Sequence, residues 1–304
     1  MPYASGRGLG YRGGNGLRAT LRRLERIPPT PLLLLSILSI QFGSALAITL
    51  FPIYGPLGML FLRQTIGGIA LCILYRAALA PAFRQAPLGV VLLGLTMSVQ
   101  SGVHYEALSR IPLGIAVSIE FLGPLALALV TSRRPVDVLC VLLAAAGILL
   151  LTPAIGESLD PVGVLFALSA AAGWACFILV SRRLGRALEG GAGLALAMAV
   201  SGLLLLPVAG LQAASDVVAH PATLGAVAGV ALLSAAIPLL FEFLALRSMP
   251  ARQYGVLVAV EPVVATVVGA ALLADVIDLR AWIAIVLITL ASVGVALLSK
   301  PDGK

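Results

Sequence analysis

Two glutamates lie within long apolar runs, each close to a proline. Glu120 is in "PLGIAVSIEFLGPLALAL" (112–129), four residues before Pro124, and Glu261 is in "QYGVLVAVEPVVATVVG" (253–269), immediately before Pro262. A charge at the centre of such a run costs about 3 kcal/mol when the run crosses a bilayer. Each acid must therefore face a cavity, find a partner or stay protonated. A proline cannot bond the carbonyl four residues before it, so Pro124 frees the carbonyl of Glu120 and Pro262 frees that of Val258. Carboxylates beside unpaired carbonyls can hold a cation or exchange a proton, and such irregular backbone is tolerated where it lines a cavity. The plainer reading has the prolines kinking helices for packing and the acids bonding hydroxyls. It explains either acid alone better than it explains two at matched depth.

Other polar groups in apolar runs are weaker candidates. Arg63, in "FLRQTIGG", is a counter-ion for a glutamate, a clamp for a carboxylate, or a side chain long enough to snorkel. Gln41, Gln100, Tyr105 and Trp174 are candidates to line a cavity, with interhelical bonding or packing as the alternative. Glu242 in "LLFEFLALRS" suits gating, pairing with Arg247 or snorkelling. Glu106 and Arg110, four apart, read as an interfacial ion pair. His104, two residues from Glu106 and so on another face, reads as a packing histidine. Gly225 and Gly229 read as a small-residue seam that lets helices approach.

The elements that must position these residues follow from composition. Of 304 residues, 60% are hydrophobic and 11% charged, against about 25% charged in soluble domains; the mean hydropathy is +1.09. An integral membrane protein is expected. Ten runs are apolar and about 20 residues long: 31–50, 57–76, 87–108, 112–131, 135–152, 161–181, 191–211, 222–246, 252–273 and 280–299. Residues 1–30, rich in Gly and Arg, read as a disordered basic tail. An even count puts both termini on one side. With that side cytoplasmic, 17 of the 20 Lys and Arg residues fall there, including Arg133, Arg134, Arg182, Arg183 and Arg186, and only Arg110 and Arg280 fall outside. "ALA" at 45–47 mimics a signal-peptide cleavage site. Cleavage there would leave nine spans and destroy the repeat described next.

Residues 107–124, "ALSRIPLGIAVSIEFLGP", and 245–262, "ALRSMPARQYGVLVAVEP", align at a shift of 138, with Ala107 on Ala245, Leu108 on Leu246, Pro112 on Pro250 and Pro124 on Pro262. The shift joins spans three and four to spans eight and nine, so the unit has five helices. An odd-numbered unit inserts its two copies with opposite orientation, as in many secondary transporters whose substrate sites lie at the midplane between halves. The expected fold is an all-α membrane protein of ten transmembrane helices in two inverted five-helix repeats, 31–152 and 161–299, after a cytoplasmic tail.

The same residues exclude several classes. No basic patch interleaved with aromatics suggests nucleic acid. Cys72, Cys140 and Cys176 read as small apolar residues rather than a disulfide framework. There is no H-E-x-x-H, P-loop or G-x-S-x-G, and with only two histidines, one of them His220 in an expected outer loop, metal-dependent hydrolysis is disfavoured. A receptor remains as the rival class, although short connections leave no signalling domain.

"SIQFGSALAITLFP" (39–52), "PLGIAVSIEFLGPLALAL" (112–129), "SRRPVD" (132–137), "AAGWACFILVSRR" (171–183) and "LALRSMPARQYGVLVAVEPVVATVVG" (244–269) resemble the EamA family of the drug/metabolite transporter superfamily, and within it the threonine and homoserine exporters. The likeness runs through most of 31–299. It implies ten helices, no cofactor or metal, no ATP hydrolysis, and proton-driven efflux of small amino acids or related metabolites across the bacterial inner membrane. Two departures stand out. Ala274 and Asp275 replace the Gly-Glu usual after the ninth span, and Ile48 or Thr49 stands where a member of the family has lysine. The resulting expectation is an alternating-access exporter with small zwitterions, protons and the lipid bilayer as partners, a homo-oligomer being left open. Glu120 and Glu261 would take the ammonium and the proton, Arg63 or backbone N–H groups the carboxylate, and Pro124 and Pro262 would be kinks. The alternative is a carrier of drugs or other metabolites from the same superfamily.

Overall fold

The computed structural model describes residues 28–123, 159–188, 191–239, 241–242 and 257–298, with a few positions between 126 and 150. Among the described residues every regular element is helical. The tail to residue 27, Pro124, Cys140, Arg133, Arg134, Arg247 and Arg252 lie outside them.

Helix α1, Pro29–Leu74, has 46 residues. At 1.5 Å per residue it would be about 69 Å long, more than twice the roughly 30 Å of bilayer hydrocarbon, so one crossing cannot hold it. Gly55, at φ 64° and ψ 167°, breaks it into arms 29–54 and 56–74. That backbone conformation is open essentially to glycine alone, and Pro52 and Pro56 flank it. The six-residue connection expected from hydropathy therefore shrinks to one residue. Helix α2, Arg76–Gln85, fills most of the connection between the second and third apolar runs, and Gln85 Nε2 ties it to the Ala187 carbonyl at 2.7 Å.

Helix α3 is Pro87–Leu108, the span expected from hydropathy to the residue, and α4 is Leu113–Glu120. Helix α5, Pro161–Ala187, starts where Asp160 accepts from the Val162 N–H at 2.9 Å. Helix α6, Ala192–Leu205, passes through a π turn, Leu206–Gly210, into α7, Leu211–Ala219. Together they make an apolar helix of 28 residues. After a short 3-10 turn, α8, Leu224–Ala231, runs into a second π turn, Leu232–Ala236, and on to Leu239. Helix α9 is Glu261–Leu272 and α10 is Leu279–Leu298.

Helix α3 packs mainly on α5 and α6, while α1 packs on α6, α8 and the second π turn. Lipid tails are as apolar as leucine, so helix contacts in a bilayer rely on close approach through small residues. Gly43 supplies one such approach: a Cβ there would lie 2.6 Å from the Ser234 nitrogen. Of the two glycines expected to form a seam, Gly229 faces Leu46 of α1 at ordinary contact distance, while a Cβ at Gly225 would meet nothing within 4 Å among the described residues. Ile73, Leu88, Leu165 and Leu203 are all more than 60% exposed on helices of membrane-crossing length, as lipid-facing side chains are. The chain is an all-α integral membrane protein.

After α9 the chain turns through Ala274, at φ 56°, a conformation that costs an L-residue roughly 1–2 kcal/mol. The turn lets Asp275 Oδ2 accept from the Leu113 N–H at 3.1 Å, so a carboxylate from behind α9 caps the start of α4. The Gly-to-Ala departure noted above falls at this strained position. Ala274→Gly should raise unfolding stability in detergent by about 1 kcal/mol, since relief of strain exceeds the entropy cost of glycine; a loss would mean that the left-handed turn is not under strain. Asp160, outside the membrane, is held ionised below the usual aspartate range, chiefly by the Val162 N–H and then by Arg110. Its stabilising effect is complete above the unfolded aspartate value of about 3.9 and fades as pH falls through the lower folded value. Asp160→Asn should flatten this acid limb in a pH series of thermal unfolding.

Candidate functional site

The α-helical ladder breaks twice beside an acid. In the first break α4 ends at Glu120 and Phe121 forms a turn, its N–H still donating to the Val117 carbonyl at 3.1 Å, before helical backbone resumes at Leu122 and Gly123. In the second, Ala259 and Val260 form a turn before α9 opens at Glu261. Phe121 and Ala259 are 138 positions apart, the shift that aligns the repeated segments. Pro262 occupies the first turn of α9, where the missing N–H costs no hydrogen bond. The breaks also differ in polarity. Glu120 lies beside its own carbonyl, for which the sequence offers no i+4 N–H because residue 124 is proline, whereas Glu261 stands at the N–H end of α9, so the local backbone disfavours a negative charge at the first and favours it at the second.

Glu120 is 6% exposed, and two side chains of α3 reach it. Gln100 Nε2 donates to Glu120 Oε1 in a short bond. His104 Nδ1 lies 2.7 Å from Glu120 Oε2, close enough for an ion pair although its N–H direction falls off the line of a hydrogen bond. Gln100 and His104 are one helical turn apart and share a face. The two-residue offset from Glu106 suits packing, as expected from sequence, but the four-residue offset from Gln100 puts His104 in the site instead. Glu261 receives Gln41 Nε2 from the first arm of α1 at 2.8 Å on Oε1. It lies within electrostatic reach of Glu120 and of half-buried Glu242.

Arg63 connects to the site through aromatic and backbone groups. Its guanidinium carbon is 5.5 Å from the centre of the Tyr105 ring, a cation–π distance, and Nη2 donates to the Ser234 carbonyl at 2.8 Å. That acceptor is open because Pro238, four residues on, has no N–H to offer it. The rule applied to Pro124 and Pro262 would have revealed it from "SAAIP". Ser36 and Ser39 hydroxyls add bonds to the Pro238 and Leu233 carbonyls at 2.9 and 2.7 Å. Three side chains of α1 thus grip one segment of irregular backbone. Among the described residues Arg63 forms no ion pair with an acid, whereas Glu120 pairs with His104, and Arg110 with Glu106 and Asp160.

Tyr105, 1% exposed, sits between Phe51 and His104, with ring centres at 5.5 and 6.1 Å. Trp174 meets the edge of Phe121 at 4.8 Å, next to Glu120. Gln41 Oε1, Arg63 Nε and the Tyr105 hydroxyl are buried without hydrogen-bond partners among the described residues. Groups of that kind call for an explanation beyond folding. A separate groove of about 580 Å³ between 61–76 and 199–206 contains none of these acids. Its lining is almost wholly apolar and turned outward, which fits lipid rather than a polar solute.

Residues 161–297 match the EamA-like transporter family. The chain is 34% identical over 288 residues to the threonine/homoserine exporter RhtA of Escherichia coli strain K12, covering 94% of this chain and 97% of that protein. It is 35% identical over 276 residues to RhtA of Salmonella typhimurium strain LT2, covering 90% and 92%. A solved crystal structure aligns with a TM-score of 0.57 at 22% identity, over 88% of this chain and 97% of that one, which speaks to the fold alone.

If Gln100 supports the buried acid, Gln100→Leu should lower unfolding stability in detergent by about 1–3 kcal/mol. Thr96→Val removes a hydroxyl bonded, among the described residues, only to the Leu92 carbonyl of its own helix and should change stability by no more than about 0.5 kcal/mol. Equal losses would show that Glu120 takes no support from Gln100.

Proposed function

The chain belongs to the EamA-like transporter family, and from that premise we propose that it exports small neutral amino acids of the threonine and homoserine type in exchange for protons. The observation that carries this reading is likeness to named exporters over nearly the whole length of both chains. The paired acids supply a chemistry to match it. A zwitterion offers an ammonium and a carboxylate a few ångströms apart. Glu120 and Glu261 can receive the first, while Arg63, with Nε unpartnered, and N–H groups near the α9 break can receive the second. Hydrogen-bonding partners for the amino-acid side chain are at hand in Gln41, Tyr105 and Trp174.

In this reading the protein crosses the bacterial inner membrane ten times, with both termini in the cytoplasm and two inverted units, 31–152 and 161–299. The segments around the breaks near Glu120 and Glu261 rock so that the site faces either side in turn, and Glu242 helps to gate it. The cargo is a solute and the drive is the proton gradient, so no reaction is catalysed. In proteoliposomes, export of radiolabelled threonine should fall at least tenfold in Glu120→Gln, a loss of about 1.4 kcal/mol or more; unchanged pH-dependent efflux would remove that residue from the mechanism. Overexpression should confer selective resistance to toxic threonine and homoserine analogues. Resistance confined to unrelated drugs would instead favour the drug carriers of the same superfamily.

A further inference from the structure

Glu120 and Glu261 are both acids at helix breaks, yet only Glu120 has an imidazole against it. The backbone explains why a cation is wanted there. Glu120 lies at a one-residue break after α4, and the sequence offers its carbonyl no i+4 N–H because residue 124 is proline, so the carboxylate stands beside the partial negative charge of an unbonded carbonyl. Glu261 begins α9, where the backbone itself supplies partial positive charge. His104 Nδ1 at 2.7 Å from Glu120 Oε2 therefore meets a need that Glu261 does not share.

We infer that His104 is a built-in stand-in for the ammonium of the transported amino acid. It occupies Glu120 as an imidazolium and yields the place, together with its proton, when substrate arrives. The proposal rests on the exporter reading above and adds the residue and the exchange that would couple the two fluxes. The balance is simple. Imidazolium and carboxylate plus a zwitterion become neutral imidazole, a carboxylate bound to the ammonium, and one proton released to water. Reversal from the other side of the membrane reloads His104 with a proton as the amino acid leaves. Two cations cannot share one carboxylate oxygen at this depth without strong mutual repulsion, so occupancy is exclusive and exchange follows.

Among the described residues the other titratable and charged groups around the pair, Glu261 excepted, face other partners or solvent. From α1, Arg63 faces Tyr105 and the Ser234 carbonyl. On α3, Tyr105 adjoins the imidazole, while Glu106 is directed to Arg110. Asp160, at the start of α5, takes the same arginine, and Cys176 on α5 is exposed. From α9 comes Glu261, within electrostatic reach of Glu120 and held by Gln41. Asp275 bonds the start of α4, and Asp278 bonds the Ala281 N–H at the start of α10. A solute without an ammonium has nothing with which to displace His104, so the 2-hydroxy acid of the same shape should not be carried.

The test is the ratio of two rates in proteoliposomes: accumulation of L-threonine driven by a pH difference of one unit, and threonine counterflow without a gradient. One unit sustains roughly tenfold accumulation under one-for-one exchange. His104→Gln keeps an amide for Glu120 but cannot carry the proton, so it should lower the ratio of driven accumulation to counterflow about tenfold. His220→Asn, altering the other histidine, should leave both rates unchanged. A His104→Gln protein whose ratio equals that of wild type would overturn this inference while leaving the exporter reading intact. Wild-type protein that moves neither threonine nor homoserine would overturn both.

Discussion

A carboxylate buried among apolar helices must be compensated where it stands, and much of this structure follows from that demand at Glu120. Gln100 and His104 lie on one face of α3 because both must reach it. The start of α4 is fixed in turn by Asp275, which caps Leu113 from the far side of α9. Compensation thus draws on three elements distant in sequence, and none of the three contacts can be moved without affecting the others. Gln41 at Glu261 does the same for the other acid, joining the first arm of α1 to α9.

Backbone released from regular bonding supplies the second set of links. Proline at 238 leaves the Ser234 carbonyl open, the π turn from Leu232 to Ala236 places it next to α1, and Arg63 fills it. Gly43 makes the approach close enough, since any larger residue would meet the Ser234 nitrogen. Ser36 and Ser39 complete the seam. In hydrocarbon, where an unmet carbonyl has no water to turn to, such points bind helices together more selectively than apolar contact does.

Much of this was legible in the sequence. Hydropathy alone located α3, because Pro87 and the polar end after Leu108 bound an uninterrupted apolar run. It overstated the connection between the first two spans, since window averages do not register that a single glycine at positive φ can turn the chain. It missed α2, a short helix with two arginines and a proline whose hydropathy looks like a loop. At the site the two acids and the glutamines stood out as polar groups in apolar runs. His104 did not, because its significance depends on a partner from another helix that no local spacing reveals. The replacement of Gly by Ala at 274 was visible as a departure, and the reason it matters, a left-handed φ, belongs to the three-dimensional turn.

The one-residue link at Gly55 also limits how the molecule can move. A loop of several residues would let two neighbouring helices slide, separate or rotate independently. Two arms joined through a single Cα, with a proline one residue to one side and three to the other, have no slack to pay out. Their near ends must travel together, leaving only a swing about that point, like the legs of a pair of dividers. Gln41 is on one leg and Arg63 on the other, so any opening of the angle changes the distance between the group that holds Glu261 and the group that grips Ser234. The site's width is thereby tied to one backbone torsion pair, that of Gly55.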